Sequence, residues 1–242
     1  MSHFASTDAP YVLAITGASG AIYAVRLIHA LVRARVPLHL VISTSGLEVM
    51  KQELPELGLD LLPCDEHTKR LEAILAFHWN ASKRWDSLSE DDIRFGMEQI
   101  SQYSNSSYLV PIASGSFLTR GMVICPCSGS TLSGLVHAAS NNLIVRAADV
   151  HLKEGRKLIL VNRETPLSVF QVENMQRAAA AGAIILPAMP GWYHGVTDLI
   201  DLVDFIVARI MDQLQIPHQL IRRWGDSSSS ATDSVSLPKE KT

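Results

Sequence analysis

The sequence predicts an α/β fold, an open, doubly wound parallel sheet in one domain, and three observations carry the prediction. Apolar runs of strand length recur at residues 11–15, 38–42, 122–125, 157–161 and 183–186. Such near-continuous aliphatic runs suit strands covered on both faces. Segments with helical spacing separate them, so strand and helix alternate. The chain of 242 residues is 47% hydrophobic and 19% charged, enough for one well-buried core.

The elements follow in order. The run Y-V-L-A-I at 11–15 leads through T-G-A-S-G into a helix whose stripe is Ile22, Val25, His29 and Val32. A second strand, L-H-L-V-I, occupies 38–42. Residues 54–110 break the alternation and read as an excursion: a helix near 68–77, a charged stretch, a weak strand near 92–95 and a polar run at 101–107. Strands resume at 122–125 and 157–161. A helix with Val169, Val172 and Met175 on one stripe precedes the strand at 183–186. A last helix carries Leu199, Leu202, Val203, Ile206, Ile210 and Leu214. Residues 1–9 form a flexible start and 10–224 the domain. The tail 225–242, G-D-S-S-S-S-A-T-D-S-V-S-L-P-K-E-K-T, has too few apolar residues to offset ordering entropy and is expected to be disordered. Ligands in such sheets bind beyond the carboxyl ends of the strands.

Composition narrows the function. A net charge of -3 without long basic runs argues against nucleic-acid binding. No apolar stretch has membrane-spanning length and the start lacks a signal peptide, so a cytoplasmic protein is expected. Cys64, Cys125 and Cys127 form neither a disulfide framework nor a CxxC pair; Cys125 and Cys127 read as buried filler at a strand end. The histidines lack metal-ligand spacing, and no metal is expected.

Several short motifs could hold a ligand. G-A-S-G-A-I from Gly17 lacks the second and third glycines of a dinucleotide fingerprint. It offers a site for one phosphate or ring edge, or a plain turn with Ser19 as N-cap. Cys127-Ser128-Gly129-Ser130-Thr131 follows a strand, opens a helix and concentrates hydroxyls around one glycine. Ala113-Ser114-Gly115-Ser116 is a third small polar loop. Arg146, Arg163, Glu164 and Arg209 sit among apolar neighbours, where a charge has a partner: structural ion pairs, or, with Lys153, an anion pocket. Tyr193 lies in P-A-M-P-G-W-Y-H-G, as a core aromatic or a phosphate donor.

Taken together, these strings resemble the flavin prenyltransferases, the UbiX family, from residue 11 to about 224. The matching stretches are T-G-A-S-G-A-I-Y, A-S-G-S-F, M-V-I-C-P-C-S, N-N-L-I-V-R-A-A-D-V-H-L-K-E, R-E-T-P-L-S, E-N-M, G-A-I-I-L-P-A-M-P-G-W-Y-H and D-L-V-D-F-I-V-A-R-I. The resemblance implies a flavodoxin-like Rossmann fold and a homo-oligomer, usually a dodecamer. It implies transfer of a dimethylallyl group from dimethylallyl phosphate to N5 and C6 of reduced FMN, without metal, giving prenylated FMN for a UbiD-type decarboxylase. By motif match Gly17, Ala18, Ser19, Ser43, Ser128, Gly129, Ser130, Thr131 and Arg163 would hold FMN. Tyr193 and Arg209 would hold the dimethylallyl phosphate, completed by Arg146 and Lys153, with a neighbouring subunit as one source of these two. Glu164 matches a proton-transfer carboxylate, Glu53 a supporting one, and Trp224 an aromatic that closes over the site. Ser19 counts with the two glutamates in the catalytic set.

The chain departs from the pattern at Thr44, where many relatives carry Lys, and at Tyr108, where some carry Trp. These departures bear on phosphate against diphosphate and on the prenyl pocket. Two other readings share the fold or the cofactor: an FMN-dependent decarboxylase of the phosphopantothenoylcysteine type, and a non-catalytic flavin carrier. The Arg-Glu-Thr-Pro string and the Tyr193/Arg209 pair favour prenyl transfer over the first. A second phosphate site is superfluous in the other.

Overall fold

The computed structural model describes residues 9–62 and 66–223. Cys64, Trp224, the tail 225–242 and nearly all of the 1–9 start lie outside the described residues. The strands are β1 (Tyr11–Ile15), β2 (Leu38–Ile42), β3 (Ile100–Ser104), β4 (Gly121–Cys127), β5 (Leu158–Asn162) and β6 (Ile184–Ile185). They form one sheet, ordered β3-β2-β1-β4-β5-β6, and every neighbouring pair is parallel. The five apolar runs are β1, β2, β4, β5 and β6. Their order by themselves is the flavodoxin-like 2-1-3-4-5, with β3 added at the edge.

The helices are α1 (Ala21–Arg33), α2 (Thr44–Glu53), α3 (His67–Leu75), α4 (Glu90–Gln99), α5 (Gly129–Val136), α6 (Leu143–Lys153), α7 (Val169–Ala180) and α8 (Leu199–Leu214). Alternation along β1 divides the core in two. Leu13 and Ile15 face a layer with Val25, Ile28 and Val32 of α1 and Val203, Ile206 and Ile210 of α8. Val12 and Ala14 face a layer with Leu132 of α5 and Ile144 and Ala148 of α6. Leu71, Ile74 and Leu75 of α3 join the first layer, so the excursion extends that side of the core.

Two expectations are corrected. Residues 92–95 are helical, within α4. Ser89 caps that helix, its side chain accepting from the Asp92 N–H while Asp92 returns the bond, and Glu90, Asp91 and Asp92 suit the positive helix start. The strand follows at β3, I-S-Q-Y-S, where an edge position tolerates polar residues. Second, the apolar stripe of α7 is only partly covered: Met175 packs against the second core layer, whereas Val169 and Val172 are 62% and 51% exposed, beside Phe170 at 72%. α7 packs on α5 and β6 from outside, and Ala178 is its buried residue.

The excursion is clamped to α1. Arg26 is buried; its Nε and NH2 donate to the two oxygens of Asp204 on α8 at 2.6 and 2.9 Å, and NH1 pairs with Asp86 of the excursion. Such a desolvated pair costs more broken than it contributes intact.

Candidate active site

β1 and β4 lie side by side while their outgoing connections diverge, so the turns after them meet at a topological switch point. Thr16, 2% exposed, joins the two turns. Its hydroxyl donates to the Pro126 carbonyl at 2.7 Å and accepts from the Ser128 N–H at 2.9 Å. Sequence reasoning missed Thr16, because its partners are more than a hundred residues away. The start of α2 closes in from the other side. A Cβ at Gly17 would sit 2.5 Å from Ser45 Oγ, and one at Gly46 would sit 2.7 Å from the Ile15 carbonyl, so both positions need glycine.

A cleft of about 590 Å³ opens here, lined by Ser43, Ser45, Ser130, Thr131 and Asn142 among others. The first turns of α2, α5 and α6 all contribute to it. Their caps are Ser43, Ser128 and Asn142, whose side chains accept from the N–H groups of Gly46, Thr131 and Val145 at 3.0, 3.3 and 3.0 Å. Three positive helix ends and a ring of hydroxyls suit a phosphate monoester.

The start of α1 is different. The Gly20 and Ala21 N–H groups donate to Glu53 Oε2 at 2.8 and 2.9 Å. A carboxylate of the chain itself occupies the anion position, and the N-cap is Gly20, not Ser19. Of the two alternatives at Gly17 to Ser19, a phosphate or a ring edge, this arrangement leaves the ring edge. Around Glu53 lies a second cleft of about 360 Å³, lined by Ser19, Tyr23, Leu54, Trp79, Arg163 and Ala188 among others. Arg163 Nε donates to the Ser19 carbonyl at 3.0 Å, tying the turn after β5 to the turn after β1. Trp79 comes from the excursion, which gave no sequence signal of a site. Burial pushes the Tyr23 phenol up, against the pull of Arg163. Glu164, exposed beside Arg163, accepts from Gln171 Nε2 at 3.2 Å.

The remaining residues are spread over the fold. Ala18 is buried and Ser19 exposed in the turn after β1. Tyr193 is 67% exposed, its ring edge-on to Phe205 of α8 at 5.8 Å. Arg209 is one turn further along α8, half exposed rather than set in the apolar stripe, with NH1 on Asp212 at 3.0 Å. Arg146 is likewise a third exposed, donating to the Ala113 carbonyl at 3.1 Å and pairing with Asp149 at 3.5 Å. Lys153 is exposed two turns on. α6 and α8 cover opposite faces of the sheet, so one chain does not gather Arg146 and Lys153 with Tyr193 and Arg209. The loop Ala113-Ser114-Gly115-Ser116 lies against Glu154 and Arg156 ahead of β5, away from the carboxyl ends. Cys125 and Cys127 are buried, and burial pushes the Cys127 thiol up to about 12, so both serve as filler. Among the described residues no group of three His, Cys, Asp or Glu side chains could hold a metal ion, and no helix is long and apolar enough to cross a membrane.

Comparison with known proteins places this geometry. The Flavoprotein family model matches residues 5–211. The flavin prenyltransferase UbiX of Pseudomonas aeruginosa is 42% identical over 214 residues, 88% of this chain and 93% of that protein. Its counterpart in Halalkalibacterium halodurans is 40% identical over 216 residues, covering 89% and 93%. Among solved structures, AnUbiX (PadA1) in complex with FMN and dimethylallyl pyrophosphate superposes with a TM-score of 0.70 at 29% identity, covering 91% of this chain and 99% of that one. A dodecameric FMN-dependent UbiX-like decarboxylase from Escherichia coli O157:H7 gives 0.70 at 33% identity, covering 89% and 98%.

Proposed function

The chain belongs to the Flavoprotein family and, within it, to the flavin prenyltransferases, and is a transferase; from that premise we propose that it transfers a dimethylallyl group from dimethylallyl phosphate to N5 and C6 of reduced FMN. The prenylated product serves a UbiD-type decarboxylase, and the reaction runs in the cytoplasm without metal. The observation that carries this reading is the pairing, at one switch point, of a hydroxyl-rich cleft facing three helix starts with an aromatic cleft holding Arg163 and Glu53. The first fits a phosphate monoester and the second a flat ring. FMN, when bound in its reduced form, supplies the electron-rich face that captures the allyl carbon.

The residues of the chain divide the remaining work. Ser43, Ser128, Gly129, Ser130 and Thr131 hold the flavin phosphate. Gly17, Ala18, Ser19 and Arg163 would border the ring, with Ser19 counted in the catalytic set. Breaking the carbon–oxygen bond of the substrate puts charge on the departing phosphate, and donors that tighten as it develops lower the barrier. Tyr193 and Arg209 supply them from one chain. Arg146 and Lys153, on the opposite face of the sheet, supply them from a neighbouring copy. Homo-oligomerisation is therefore part of the reading, with the E. coli dodecamer as its pattern; the exposed Val169, Phe170 and Val172 of α7 give an apolar surface for it. Glu164 moves the proton released on ring closure, and Glu53, held by the α1 amides, supports it. Trp79 and Trp224 keep water from the allyl carbon.

Phosphate release tests the proposal. Supplied anaerobically with reduced FMN and dimethylallyl phosphate, the protein should release one inorganic phosphate per flavin consumed, and none with either omitted. Release independent of flavin, or decarboxylation of an added peptidyl cysteine or phosphopantothenoylcysteine without prenylation, would overturn it.

A further inference from the structure

We propose that Asp212 is a positioning residue for the transfer reaction, a single carboxylate that pre-sets the Arg209 guanidinium by tying it to the segment after α8. The inference rests on the role of Arg209 proposed above. Asp212 Oδ2 accepts from Arg209 NH1 at 3.0 Å. Its Oδ1 accepts from Arg223 NH2 at 2.8 Å and from His218 Nε2 at 3.1 Å. The Leu220 N–H donates to His218 Nδ1 at 3.3 Å, so His218 turns Nε2 towards Asp212, and Arg223 NH2 lies 3.4 Å from the same nitrogen.

Exposure is graded across the cluster. The side chains of His218 and Asp212 are 4% and 19% exposed, those of Arg209 and Arg223 49% and 54%. The carboxylate is thus the sheltered base and the guanidiniums face outward.

Helix stability does not account for Asp212. It stands in the last turn of α8, where the macrodipole disfavours a carboxylate, and the basic helix residue that offsets it is Arg209 itself, one turn back. A locally unfavourable residue held by three donors from beyond its own position marks a functional constraint. Using one of five N–H donors on Asp212 removes rotamers from Arg209 before the phosphate arrives, and that preorganisation is worth affinity.

The test uses full-length protein and four variants: Asp212→Asn, Asp212→Glu, Arg209→Ala and the Asn/Ala double variant. Flavin fluorescence gives FMN affinity, calorimetry gives dimethylallyl phosphate affinity without turnover, and kinetics give KM and kcat. Asp212→Asn should weaken dimethylallyl phosphate binding and raise its KM about tenfold, with FMN affinity changed less than about twofold. Asp212→Glu should recover part of the loss, and the double variant should bind no worse than Arg209→Ala. Unchanged or tighter substrate binding in Asp212→Asn, a parallel loss of FMN affinity, or multiplying effects in the double variant would overturn the proposal. A parent that binds dimethylallyl phosphate in an Asp212-dependent way yet prenylates nothing would contradict the proposed function while leaving the tether intact.

Discussion

Thr16 presents the residue-scale logic in its smallest form, since one hydroxyl accepts from the Ser128 amide and adds a second bond to the Pro126 carbonyl, which the Thr16 N–H also reaches at 3.3 Å. Thr16→Val keeps the shape and removes both bonds. It should lower unfolding stability by about 1–3 kcal/mol in chemical denaturation and weaken FMN binding more than dimethylallyl phosphate binding, whereas Thr16→Ser should restore both. Equal stability of the valine variant would contradict the bridging role. Ser128 was legible as a serine opening a helix after a strand, a local pattern, whereas Ser43 entered only through the family match. Thr16 gave no such signal and Glu53 entered only through the family match, because their partners are set by topology: the bonds from the Gly20 and Ala21 amides to Glu53 cross about thirty residues of sequence. The turn at Gly17 to Ser19 offered a phosphate or a ring edge in the sequence, and only the fold shows that Glu53 takes the anion position beside it.

Elements follow a similar division. Strands covered on both faces announced themselves, and β1 and β2 match the apolar runs residue for residue. The edge strand β3 did not, since an edge needs no aliphatic run, and the capping box at Ser89 was the overlooked sign that residues 92–95 are helical. α7 was legible as a helix, but how far its apolar stripe is covered was not, since Met175 reaches the core while Val169 and Val172 stay exposed. If that stripe packs on another copy, Phe170→Asp should shift the sedimentation profile to smaller species. Because Arg146 and Lys153 act across subunits in the proposed site, the same variant should lose most of its turnover while each chain keeps its fold by circular dichroism. An unchanged assembly state would contradict the reading of α7.

At the scale of the whole molecule, the two core layers hold neutral histidines that couple stability to pH. His29 of α1 donates to the Ile74 carbonyl at 2.8 Å; His151 of α6 donates to the Ala147 carbonyl at 2.7 Å and accepts from Thr119 at 2.8 Å. Burial pulls each pKa from 6.5 down to about 4. The unfolded chain therefore binds more protons between those values. The contribution is intact above about pH 6.5, falls as pH drops through the window and is fully lost below about 4, roughly 3 kcal/mol for each histidine. Denaturant midpoints across that range should fall towards acid, and His151→Gln should flatten part of the slope; a slope unchanged in that variant would contradict the assignment.

The same whole-molecule view joins the clefts at the sheet's carboxyl edge, the divided cationic groups and the family membership into one claim, that this chain prenylates a flavin. Mass spectrometry of the flavin recovered after a single anaerobic turnover with stoichiometric reduced FMN and dimethylallyl phosphate tests it most directly. The account predicts a flavin heavier by one dimethylallyl unit, absent when Glu164→Gln replaces the parent although FMN still binds. A flavin of unchanged mass from the parent protein would contradict it.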